Sequence, residues 1–147
     1  MQGKTISGKT WTLAHAVAER KPTVLYFFSI HSLWLAKSDE FHQQMNYLSS
    51  LYRTFGREKL YIFGVSDEPK EEIEWLGESG YDDFAPLLDE GSMLHATLGI
   101  DIHPYIVVFD ADGTVVGISK TFHPSSLWLI EERIKESIAR AQASSQR

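Results

Sequence analysis

The sequence predicts a three-layer α/β/α sandwich, with a central mixed sheet of about five strands between layers holding about four helices. Three observations carry this reading. Two continuous apolar runs, TVLYFF (23–28) and KLYIFGVS (59–66), have the composition of strands buried on both faces, as parallel strands inside a sheet are. A long helical pattern lies between them, which is the crossover that parallel neighbours need. Finally, HPYIVVFDADGTVVGIS (103–119) places an Asp-Gly turn between two apolar runs, a strong hairpin signal that adds antiparallel strands at one end.

Each element follows in order. Residues 2–12 are short and polar, with Gly3 and Gly8 as turn residues, and predict an edge strand or hairpin. TLAHAVAER is a short helix closed by Lys21-Pro22. From Ala36 to Phe55, Phe41, Met45, Leu48, Leu51, Tyr52 and Phe55 recur at helical spacing, and Gly56 ends the helix. DEPKEEIEWLGESG has Pro69 in a first-turn position, with acids suited to the positive end of a helix dipole. FAPLLD (84–89) reads as short and extended. SMLHATLG reads as a brief helix with Ser92 as its N-cap and Gly99 just past its end. The last helix carries Leu127, Ile130, Ile134 and Ile138 as an apolar stripe. Residues 1–140 form a single domain on this reading, and 141–147 a frayed C-terminal tail.

Bulk composition bounds the function. The chain has 147 residues, enough for one domain with a real core. Lys and Arg total 14 against 20 Asp and Glu, a net charge of −6, which argues against a nucleic-acid or anionic-membrane binder. There are no cysteines, so disulfides, thiolate nucleophiles and thiolate metal sites are excluded from this chain. No apolar run is long enough for a transmembrane segment, and MQGKTISGKTW has no signal core. As given, the chain reads as cytoplasmic, or as periplasmic or otherwise extracytoplasmic if a leader or anchor has been removed.

The segments VLYFFSIHSLWL, FGVSDE, GIDIHPYIVVFDADGTVVG and the closing helix occur in this order across roughly residues 5 to 138. Together they resemble the thioredoxin-like fold family, in its peroxiredoxin-like branch that includes the thiol–disulfide oxidoreductases of cytochrome c maturation. In that family the first motif reads aromatic–x–x–Trp-Cys-x-x-Cys, and the third holds a cis-proline before a strand. The resemblance puts His31 at the tryptophan and Ser32 at the nucleophilic cysteine. Leu33 and Trp34 fill the two middle positions, and Leu35 stands at the second cysteine. Pro104 falls on the cis-proline, with His103 before it. The family chemistry needs a thiolate at a helix start and a second thiol to resolve the mixed disulfide. Serine and leucine supply neither, so the resemblance implies a degenerate member without dithiol exchange or thiol peroxidase activity, and with no cofactor.

What the former site retains is a rim of His31, Ser32, Leu33, Trp34, Leu35, His103 and Pro104. Ser32 caps a helix start, or acts as a nucleophile with a histidine base; no Gly-x-Ser-x-Gly elbow surrounds it. His31 and His103 form a two-histidine site if the fold brings them together, but zinc needs a third ligand that the sequence does not offer. His42 and His95 read as surface residues on their helices. Leu35 fills core volume, whereas Leu33 and Trp34 are either covered by a neighbouring segment or exposed as a contact surface. Family members pair the backbone before the cis-proline with an extended peptide, which needs no cysteine. The reading is therefore a redox-inactive protein that binds a protein or extended peptide through this rim, as a chaperone, adaptor or scaffold. The alternatives are a metal or non-redox enzyme site at His31, His103 and Ser32, or a homodimer that buries Leu33 and Trp34.

Overall fold

The computed structural model describes residues 1–29, 38–78 and 86–145. Its elements are β1 (Gln2–Thr5), β2 (Thr10–Thr12), α1 (Leu13–Ala18), β3 (Thr23–Phe27), α2 (Ser38–Phe55), β4 (Tyr61–Ser66), α3 (Lys70–Glu78), β5 (Leu87–Leu88), a 3-10 turn (Glu90–Ser92), α4 (Met93–Leu98), β6 (Tyr105–Phe109), β7 (Val115–Ser119) and α5 (Pro124–Ser145). The sheet has seven strands in the order β2-β1-β5-β4-β3-β6-β7.

β3 and β4 pair in parallel, as their apolar runs predict, and β6 pairs antiparallel to β3 with Tyr105 opposite Phe27. Every residue of β3 is buried. Its side chains alternate between the two layers: Val24 and Tyr26 pack with Met45, Leu48, Ile130 and Ile134, while Leu25 and Phe27 pack with Trp11, Phe63, Leu94 and Val107. The β6–β7 hairpin turns through Asp110–Thr114, with Gly113 at φ +91.

The strand count exceeds the expected five because the N-terminal hairpin is joined to the sheet. β5 is only two residues long, yet it pairs in parallel with β4 and antiparallel with β1. α5 runs to Ser145, past residue 140, through a stretch rich in the helix formers Ala139, Ala141, Gln142 and Ala143. Among the described residues no helix is long and apolar enough to cross a membrane.

Candidate functional site

Antiparallel pairing of β6 with β3, and parallel pairing of β3, β4 and β5, bring four strand ends together. Phe27, Ser66, Leu88 and Tyr105 lie at this end, where open α/β sheets place their ligand sites. Asp67 and Glu68 follow β4 there, and Asp89 follows β5, its N–H donating to the Ser66 carbonyl at 2.8 Å. The His103–Pro104 peptide is cis, as the family resemblance implies.

Asp89 is the hinge of the local structure. The chain passes from β5 through the 3-10 turn, and Asp89 reaches forward to cap α4. Its Oδ1 accepts the Leu94 N–H at 2.8 Å and its Oδ2 the His95 N–H at 3.0 Å. Ser92 stands at the N-cap position, as expected, but the capping hydrogen bonds come from Asp89 instead. It adopts the left-handed conformation at φ +56, makes no capping hydrogen bond, and donates its hydroxyl to Asp67 Oδ2 at 2.8 Å. A serine cap needs extended backbone; the turn denies it that geometry and brings a longer carboxylate into reach.

His95 is not a surface residue. It is 6% exposed, beside Asp89 at 3%. Its Nδ1 lies 2.7 Å from Asp89 Oδ2, and its Nε2 lies 2.9 Å from His103 Nε2. The His95 ring also meets the edge of Phe27 at a centroid separation of 4.9 Å. Buried polar groups require partners, and here both Asp89 oxygens and both His95 ring nitrogens have one. Burial lowers the His103 pKa, repulsion from His95 lowers it further, and attraction from Asp67 and Glu68 opposes both.

Of the residues singled out from sequence, His103 and Pro104 occupy this site. His31, Ser32, Leu33, Trp34 and Leu35 lie outside the described residues. The structure adds Asp89 and His95, which pattern reasoning passed over. One signal was available: His95 follows Leu94 and precedes Leu98 by one turn less a residue, so it shares the buried side of a very short helix. Among the described residues no group of three or more His, Asp or Glu side chains is arranged to hold a metal ion. An open cavity of about 560 Å³ lies elsewhere, between β1, β5 and α4. It reaches Asp89 but neither His95 nor His103.

No family model matches the sequence. No curated protein matches it by sequence either. Solved structures do match in fold. The exposed lipoprotein thioredoxin of Streptococcus pneumoniae superposes with a TM-score of 0.69 at 17% identity, covering 92% of this chain and 98% of that one. A secreted disulfide oxidoreductase of Mycobacterium tuberculosis, homologous to E. coli DsbE, gives 0.66 at 17% identity over 92% and 95% of the two chains. A thiol:disulfide interchange protein of Chlorobium tepidum, of the thioredoxin family, gives 0.68 at 18% identity over 94% and 92%. The fold is thioredoxin-like, and its structural neighbours are thiol–disulfide oxidoreductases. This chain has their architecture without a single cysteine.

Proposed function

We propose that this is a redox-inactive thioredoxin-like protein that binds an extended peptide, or an extended segment of a protein, along the main chain at His103. The observation that supports the reading is an open stretch of backbone. Among the described residues, neither the N–H nor the carbonyl of His103 takes a hydrogen bond, although Tyr105, two residues on, is already paired with Phe27. Unpaired backbone beside a sheet is what strand addition uses, and it depends on no particular side chain. Ile102, next to this stretch, is 45% exposed and offers apolar contact. Leu33 and Trp34 are proposed to extend the same apolar rim, and His31, Ser32 and Leu35 to complete it.

The test is a titration of isotope-labelled protein with a panel of short unstructured peptides, followed by amide chemical shifts. Saturable shifts centred on His103 and Tyr105, lost in a folded Leu33→Asp/Trp34→Asp double variant, are the expected result. Absence of any saturable response across the panel, or shifts that survive in the double variant, would remove the rim from the function.

A further inference from the structure

The row Asp89–His95–His103 has a direction, and its donors set it. Main-chain N–H groups of Leu94 and His95 can only donate, so both Asp89 oxygens are acceptors. Oδ2 also receives His95 Nδ1 at 2.7 Å, which puts the proton on that nitrogen. The other nitrogen of a neutral His95 is then a bare acceptor for the Nε2–H of His103 at 2.9 Å. This network assigns the tautomers and leaves the His103 lone pair on Nδ1. No hydrogen bond reaches His103 Nδ1 among the described residues. The ring is partly exposed at the strand ends, whereas its two supports are buried.

A nucleophile needs a free lone pair, a neutral ground state and a path for the proton it sheds. Among the described residues, His103 has the first in Nδ1. Its lowered pKa supplies the second. His95 and Asp89 supply the third, because a proton passed to His95 faces a buried carboxylate. We propose that Asp89, His95 and His103 form a proton relay that makes His103 Nδ1 a nucleophile toward activated acyl esters. The proposal concerns the side chain of His103 and is independent of peptide binding along its backbone.

The Nδ1 pair attacks the acyl carbon and forms a C–N bond, while the ester C–O bond breaks and the alkoxide leaves with its electron pair. The Nε2 proton of His103 moves to His95 Nε2, which leaves a neutral acylimidazole. Water then adds to the acyl carbon and the C–N bond breaks, returning its pair to Nδ1. His95 returns the proton to His103 Nε2. The acid departs with one water proton, and the other passes to solvent, matching the charge of the alkoxide.

The test uses the full chain and para-nitrophenyl acetate as probe. The expected rate of nitrophenolate release is at least about tenfold that of equimolar free imidazole, on the scale positioned imidazoles reach. Peptide mapping at short times should place an acetyl group on His103. His103→Gln should reduce the rate to that of the remaining histidines. His95→Gln keeps Nδ1 but removes the relay; it should lower the rate about tenfold and move the pH midpoint upward, because the repulsion from His95 is gone. A packing role alone would not move that midpoint. Mapping needs no variant, so it decides the matter even if a variant fails to fold. Wild-type protein no more reactive than imidazole, an adduct confined to other histidines, or a His95→Gln variant with unchanged rate and profile would each overturn the relay.

Discussion

His95 Nε2 and His103 Nε2 face each other at 2.9 Å, although one lies within a helix and the other in the loop entering β6. The reversal between them is made by Gly99, at φ +67, after which the Ile100 N–H returns to the His95 carbonyl at 2.8 Å. A short helix, a left-handed cap and a loop therefore deliver two imidazoles to one point. Asp89 fixes the first from behind, and Asp67 and Glu68 act on the second from the loop after β4.

This arrangement predicts an acid limb in the stability curve. The ring of His103 is neutral in both folded and unfolded protein above the unfolded value of about 6.5. Its folded pKa is lowered, first by burial and then by His95. As pH falls below the unfolded value, the unfolded chain takes up a proton that the folded chain still refuses. Stability therefore declines from about pH 6.5 down to the folded pKa and levels off below it. Urea unfolding across this range should show the decline in wild type and a flatter limb in His103→Gln. Equal slopes in the two proteins would assign the acid sensitivity elsewhere.

Asp89 holds three donors, so its loss should be felt far beyond one hydrogen bond. Asp89→Ala leaves the Leu94 and His95 N–H groups uncapped and a buried imidazole without its carboxylate. The expected cost is about 3 kcal/mol, from a lost cap plus a broken buried pair. Asp89→Asn should cost less, since the amide oxygen can still accept one backbone N–H. Denaturant midpoints of the two variants, at pH 7, check the order as well as the size.

Much of the fold was legible in the sequence, for physical reasons. TVLYFF and KLYIFGVS announce buried strands because a strand covered on both faces has no solvent side to mark with polar residues. The Asp-Gly turn and the stripe Ile130–Ile134–Ile138 are equally local signals. The joining of β1 to β5 was not legible. Leu87 and Leu88 are too few to show any period, and Lys4 meets Leu88 only through long-range pairing. Asp89 and His95 were missed for a different reason. Helical spacing shows which face is apolar, but not that a carboxylate six residues upstream, before the 3-10 turn, will satisfy an imidazole placed on that face. Ser92 and Asp89 are both good capping residues by type, and tertiary geometry gave the capping bonds to Asp89.

Tyr61 tests the electrostatics at the opposite end of β4. Its hydroxyl donates to Glu19 Oε1 at 2.7 Å. Desolvation, and then the neighbouring Glu19 charge, push its pKa from 10.0 up to about 12. The folded protein therefore keeps a proton that the unfolded chain gives up, so stability falls as pH rises from about 10 toward 12. Ultraviolet titration of phenolate should show one tyrosine ionising near 12, and Glu19→Gln should move it back toward 10.0. An unchanged titration curve in that variant would assign the shift to desolvation and the neighbouring Tyr52 alone.

Two glycines separate conformational cost from steric cost. A Cβ at Gly99 would have no heavy atom within 4 Å, so Gly99→Ala carries only the penalty of a left-handed backbone. That penalty is about 1 kcal/mol. A Cβ at Gly113 would meet Val17 Cγ2 at 3.1 Å, with φ at +91. Gly113→Ala should therefore cost more, as the hairpin turn must shift away from α1 as well as hold an unfavourable φ. Thermal and denaturant unfolding of both variants gives the comparison. At Gly99 the reversal also positions the histidine pair, so Gly99→Ala should keep the lowered His103 titration if the backbone holds its course. A His103 titration at the ordinary histidine value in folded Gly99→Ala would mean that the left-handed cap itself, more than the packing of α4, sets the distance between the two rings.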